Sequence, residues 1–187
     1  MITIGIDPSL TNTGIVVLSD HPYGDLQDNW IIQPKTAGVL RLFEIRGELI
    51  KLLDRMAGEG ESPADLVVIE GYAFARPNQA HQIGELGGMI RMLMTARGEN
   101  WIEVAPSALK KFATGKGNAP KELILQQVYK RWGVEFDDNN LADAFTLAKV
   151  GQAYLLPECA GLTAFQAEVL AALRGGKVKK SRKAKAV

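Results

Sequence analysis

Apolar residues alternate with small or polar ones from Ile2 to Asp7 and stop at Pro8, the pattern of a strand running into a turn. Residues 13–19, rich in Val and Ile, predict a second strand after the turn-like Thr11-Asn12, and Trp30, Ile31 and Ile32 a third over 29–33. Three successive strands with short connections predict an antiparallel meander. Residues 39–56 then repeat at helical spacing through Leu42, Ile45, Leu49, Leu52, Leu53 and Met56, and Gly58-Glu59-Gly60 ends the helix. Leu66-Val67-Val68-Ile69 is an unbroken apolar run, as expected of a central strand covered on both faces. It stops at Glu70.

A helix rich in Gly and Met is predicted over 79–96, followed by a strand at Trp101–Val104 and a short helix opened by Pro106 that carries Lys110 and Lys111. The loop Thr114-Gly115-Lys116-Gly117-Asn118 precedes a helix over 120–132, and the last core helix spans 140–154. Thr163 is placed to cap one more helix before Gly175-Gly176. No internal repeat is visible. This order predicts a mixed five-stranded sheet flanked by helices, a ribonuclease H-like α/β fold. The expected division is a domain over 1–156, a C-terminal helix extension over 157–176 and a basic, disordered tail over 177–187.

Composition narrows the chemistry. The chain is 47% hydrophobic and 23% charged, enough to bury a core. No run of about 18 apolar residues predicts a transmembrane helix, and the first cation is Lys35, unlike a signal peptide. A single cysteine, Cys159, fits a reducing compartment, and His21 and His81 form no zinc pattern. A cytoplasmic location, in a bacterial cell or a phage-infected host, is expected. Any metal must be a hard one held by oxygen. Of 22 basic and 21 acidic residues, six basic ones fall between Lys177 and Lys185, which leaves residues 1–176 at about −5. An acidic body with a basic tail suits carboxylates that gather metal and lysines that find phosphate. A solvated tail that aids solubility is the plain alternative.

Asp7 ends the first strand and Glu70 the fourth, so neighbouring parallel strands would bring both carboxylates to one sheet edge, where open α/β sheets place ligands. Asn140 and Asp143, three apart on a helix, share a face, and Ala142, Ala144 and Ala148 would let that helix approach the sheet. Carboxylates gathered this closely repel, and a divalent cation relieves them. Such a cluster permits two-metal phosphodiester hydrolysis, with two Mg²⁺ about 3.5–4 Å apart and Mn²⁺ able to substitute.

Gly5-Ile6-Asp7-Pro8-Ser9, Val68-Ile69-Glu70-Gly71-Tyr72 and Leu141-Ala142-Asp143-Ala144-Phe145-Thr146-Leu147-Ala148 resemble the three acidic motifs of the RuvC Holliday-junction resolvases, in a form like phage-encoded members. Ala105-Pro106-Ser107-Ala108-Leu109-Lys110 and Gly115-Lys116-Gly117-Asn118-Ala119-Pro120-Lys121 resemble the family's lysine-bearing DNA-contact segment. The likeness runs in order from Met1 to Tyr154. It implies a homodimeric, Mg²⁺-dependent crossover junction endodeoxyribonuclease that nicks two opposed strands of a four-way DNA junction symmetrically. Asp7, Glu70 and Asp143 would be the catalytic metal ligands, with Lys121 catalytic beside them and Lys110, Lys116 and Lys121 on DNA. Tyr72 and Phe74 lie where the family carries a base-stacking aromatic, although alignment favours the position of Ala73. Arg76 and Asn78 follow as phosphate contacts. The helix bearing Gly84, Gly87, Gly88, Met89, Met92 and Met94 would form the dimer interface.

One position departs from the pattern. Bacterial members usually carry a fourth acid where this chain has Asn140, whose amide oxygen can still ligate Mg²⁺ without adding charge. Asp137 and Asp138 are nearby substitutes. The departure leaves two alternatives, a broader branched-DNA debranching nuclease and a catalytically impaired junction-binding protein. A further rival is an actin-like ATPase suggested by residues 7–14, but that architecture needs two such domains and 187 residues are too few.

Overall fold

The computed structural model describes residues 1–21, 24–56, 64–71, 80–158 and 161–175. The elements run β1 (Ile2–Asp7), β2 (Thr13–His21), β3 (Gly24–Ile32), α1 (Gly38–Met56), β4 (Leu66–Glu70), α2 (Ala80–Arg97), β5 (Trp101–Val104), α3 (Pro106–Thr114), α4 (Lys121–Trp132), α5 (Asn139–Leu155) and α6 (Ala164–Leu173). The strands form one sheet in the order β3-β2-β1-β4-β5. β1 pairs antiparallel with β2 and parallel with β4, β2 antiparallel with β3, and β4 parallel with β5. This is the mixed, ribonuclease H-like sheet that the element order predicts. β3 begins well before the predicted residue 29. Its Gln27, Asp28 and Asn29 are exposed and polar, and the strand is held there by backbone pairing to β2, which leaves no apolar alternation to read.

Side-chain alternation assigns the two faces of the sheet. Ile4, Ile6, Ile15, Val17, Val67 and Ile69 pack against Ile45 and Leu49 of α1 and Leu86 and Ile90 of α2. On the opposite face, Leu66, Val68 and Val104 meet Leu109, Phe112, Leu147 and Val150, and Val16 and Leu18 meet Phe145 and Ala148. Asp7 shares this second face with Thr3 and Gly5, and Glu70 shares it with Val68. Both strand-end carboxylates therefore turn toward α5.

Helix α5 lies hard on that face because neither side carries bulk at the contact. A Cβ on Gly5 would stand 1.9 Å from the Ala144 carbonyl oxygen and 2.6 Å from the Ala148 nitrogen; one on Gly14 would stand 2.4 Å from the Asn140 oxygen. Thr3 Oγ1 donates to the Ala148 carbonyl at 3.2 Å. The helix starts where Asp138 caps it, its carboxylate accepting from the backbone N–H groups of Asn140 at 2.7 Å and Leu141 at 3.2 Å. Among the described residues no helix is long and apolar enough to cross a membrane.

Candidate active site

The parallel register of β1 and β4 aligns Ile4 with Val67, Gly5 with Val68 and Ile6 with Ile69. The next residues, Asp7 and Glu70, therefore emerge side by side at one sheet edge. Glu70 is steadied there by the bond from the Gly71 N–H to the Val104 carbonyl, 2.8 Å. Asp143 comes down from the first turns of α5, one residue before the Ala144 carbonyl that presses on Gly5. The turn joining β1 to β2 is braced by its own hydroxyls: Thr13 Oγ1 donates to the Ser9 carbonyl at 2.7 Å, and Ser9 Oγ accepts from the Asn12 N–H at 3.2 Å.

Asp7, Glu70, Asp143 and Asn140 line one cleft of about 300 Å³, together with Lys110 and Lys121. Asp7 and Asp143 are each only 5% exposed. Burial drives the Asp7 carboxyl well above the ordinary carboxylate range, assisted by the charge of Glu70, by a hydrogen bond to Glu70 and by Asp143. Glu70 is also raised by burial, while the bond from Asp7 and the charges of Lys121 and Lys110 pull it back. Asp143 is pushed up to about 7 by burial and then by Glu70, against the opposing pull of Lys121 and Lys110. The lysines therefore act on all three acids or on the pair nearest them, through space.

The donor set suits a hard divalent cation. All the donors are oxygens, and Asp143 Oδ1 is buried with no hydrogen-bond partner. Among the described residues no three acids already stand in the geometry that encloses one ion, and Glu70 is the neighbour whose charge most raises the buried Asp7 carboxyl. Of the two nearby substitutes for a fourth acid, Asp138 is committed to capping α5 and Asp137 is exposed, and neither lines the cleft.

Lys116 is exposed on the α3–α4 loop and does not line the cleft. Tyr72, Ala73, Phe74, Arg76 and Asn78 lie outside the described residues, as does the tail from Lys177 onward. The Gly- and Met-rich helix divides between two faces. Gly87 and Met94 are buried, and Gly87 borders the cleft together with Ile83 and Arg91; Gly84, Gly88 and Met92 look outward, with Met92 75% exposed. Arg91 went unnoticed in the sequence. It binds Glu103 of β5 at 3.0 Å, and the only advance signal was its four-residue spacing from Ile83 and Gly87.

Comparison with known proteins finds relatives over most of the chain. The family model for crossover junction endodeoxyribonuclease RuvC matches residues 3–150. The enzyme so named in Chlamydia muridarum is 27% identical over 168 residues, covering 82% of this chain and 92% of the relative. That of Chlorobium phaeovibrioides is 32% identical over 134 residues, covering 66% and 65%. The structure of Thermus thermophilus RuvC shares the fold, with a TM-score of 0.61 at 24% identity over 79% of this chain and 91% of that one. The same protein in complex with Holliday junction substrate matches with a TM-score of 0.61 at 22% identity, over 79% and 90%. With its acidic motifs on β1, β4 and α5 and a family match over most of its length, the chain belongs to the RuvC family of crossover junction endodeoxyribonucleases.

Proposed function

We propose that this protein is a Mg²⁺-dependent endonuclease that resolves four-way DNA junctions by symmetric nicking. The observation that carries the reading is the meeting of Asp7, Glu70 and Asp143 in one cleft beside Lys110 and Lys121, in a chain of this family. Asp7, Glu70 and Asp143 would hold the metal, with the Asn140 amide oxygen as a neutral fourth donor. When bound, two Mg²⁺ ions lower the pKa of the attacking water and stabilise the departing 3′ oxygen. Lys110 and Lys121 offset phosphate charge as the strand approaches three acids, and Lys121 acts on all three carboxylates from the start of α4.

Symmetric nicking requires two copies, and the outer faces of α1 and α2 suit a twofold contact. Gly84 and Gly88 leave open space where a Cβ would stand, beside exposed Met92, so a second helix could approach closely. On α1, Leu40 and Phe43 are also exposed. Asp54 of α1 binds Arg97 of α2 at 2.8 Å, so the two helices stand side by side.

The test is cleavage of a synthetic four-way junction by the purified protein with Mg²⁺, Mn²⁺ or chelator, beside three-way, flap and plain duplex DNA. Paired nicks on opposed strands of the four-way junction, lost with chelator and in Asp7→Asn, are expected. Equal cutting of every branched form would favour the debranching nuclease, and binding with no cleavage in either metal would favour the impaired junction binder. A monomeric mass at micromolar concentration would remove the dimer.

A further inference from the structure

The family match stops at residue 150, and α6 lies wholly beyond it, yet α6 grips the segment that carries the cleft lysines. Val169 and Leu170 are buried with Leu109 and Phe112 of α3. Lys110 and Lys111 are neighbours on α3: the first lines the cleft, and the second binds Glu168 of α6 at 2.6 Å. Helix α3 ends at Gly115, whose φ of +84° favours glycine, and the Phe165 ring lies 3.5 Å from where a Cβ on Gly115 would stand. Arg131 of α4 completes the joint. Its Nε donates to the Ala113 carbonyl at 3.0 Å, and its guanidinium stands 5.0 Å from the centre of the Phe165 ring. The loop onward to Lys121 is folded back on itself: the Lys116 N–H donates to Thr114 Oγ1 at 3.1 Å and the Ala119 N–H to the Lys116 carbonyl at 3.3 Å. Phe165 thus touches the end of α3 and, through Arg131, α4, the two helices that carry Lys110 and Lys121.

We propose that Phe165 and Glu168 are positioning residues for cleavage, acting through Lys110 and Lys121 by fixing where α3 and the start of α4 stand over the carboxylates. The inference rests on the reading of those lysines given above. Neither residue lines the cleft, so their effect must pass through the lysine segment.

The test is a double-mutant cycle in the full-length protein, read as the single-turnover rate of four-way junction cleavage and, separately, as junction affinity with Ca²⁺ in place of Mg²⁺. Phe165→Leu keeps apolar volume and removes the ring. It should slow cleavage by about 10- to 100-fold, the cost of a displacement of about 1 Å, with affinity changed less than about threefold. Phe165→Tyr should restore the rate. In a background that lacks both lysines, Lys110→Ala with Lys121→Ala, Phe165→Leu should cost little more, because the groups it positions are gone. Equal losses in both backgrounds, or an unchanged rate, overturn the proposal. A slow Lys121→Ala beside a fast Phe165→Leu overturns the positioning role alone, whereas a Lys121→Ala that cuts like the wild type overturns the lysine reading itself. Should Phe165→Leu fail to fold, the surface variant Glu168→Gln carries the same cycle with a smaller slowing of about threefold, since an exposed ion pair contributes little.

Discussion

Replacing Asp143 by Asn should stabilise the metal-free protein at alkaline pH, although it removes a carboxylate from the centre of the site. The Asp143 carboxyl titrates at about 7 in the fold against an ordinary 3.8, because burial and the neighbouring Glu70 disfavour its charge. A gap of about 3 pH units costs the folded state about 4 kcal/mol once the group is ionised in both states. The sign follows from proton binding. The folded form holds its proton more tightly, so the stability it contributes is complete below about pH 4 and is lost as pH rises through 7. Asn has the shape of the protonated acid and no charge to desolvate. The variant should therefore gain up to about 4 kcal/mol near pH 8.5 and almost nothing near pH 4. Urea denaturation in chelator reads this directly: with a slope of about 2 kcal/mol/M, the midpoint moves by about 2 M. Millimolar Mg²⁺ should then raise the wild-type midpoint and leave the variant nearly unmoved, because mass action stabilises only a fold that binds the ion. A variant no more stable than the wild type near pH 8.5, or one whose gain is the same near pH 4, would refute the account of a strained carboxylate cluster.

The other perturbations probe the packing and the charge of the same cleft. Gly5→Ala places a Cβ 1.9 Å from a backbone oxygen of α5, so the helix must move; a loss of about 3 kcal/mol by denaturation is expected, with cleavage down about 100-fold because Asp143 moves with the helix. Asn140→Asp restores a fourth acid and should lower the Mg²⁺ concentration for half-maximal cleavage about tenfold; an unchanged metal titration would remove position 140 from the ligand set.

Much of this arrangement is legible in the chain, and the exceptions have physical causes. Asp7 and Glu70 stand out because each follows a run of apolar residues that only a covered strand can carry, and a charge placed there is costly unless something answers it. Asp143 is legible as part of an alanine-rich helix face. The closeness of the helix is less so, because half of it comes from the sheet: Gly5 and Gly14 look like ordinary strand and turn glycines until α5 is laid across them. Periodicity failed on α2, where Gly and Met occur on every face and the pattern does not separate buried Gly87 and Met94 from outward Gly88 and Met92. It failed on the first half of β3 because backbone pairing alone holds that polar edge. Lys116 sits in a loop, where no period fixes direction. Asp138 carried a signal, an Asp directly before a helix, and it caps α5 as that signal implies.

Position 140 connects the stability of the fold with its chemistry. Asp7, Glu70 and Asp143 contribute three negative charges when ionised, and Lys110 and Lys121 return two. Burial holds the Asp7 carboxyl toward its neutral form, which eases the remaining charge that the metal-free cleft must carry. A fourth carboxylate at 140 would upset that balance, since Asp138 already adds to the repulsion on Asp143. Asn keeps an oxygen available and spares the apo fold another buried charge, at the expense of weaker attraction for the cation. The physical trade is therefore between tolerance of the empty state and grip on the metal, and the lysines brought in by α3 and α4 shift it further toward tolerance. In the proposed reaction, phosphate arriving with its own negative charge would meet a site that draws on two sources of positive charge, the divalent ion and the lysine segment.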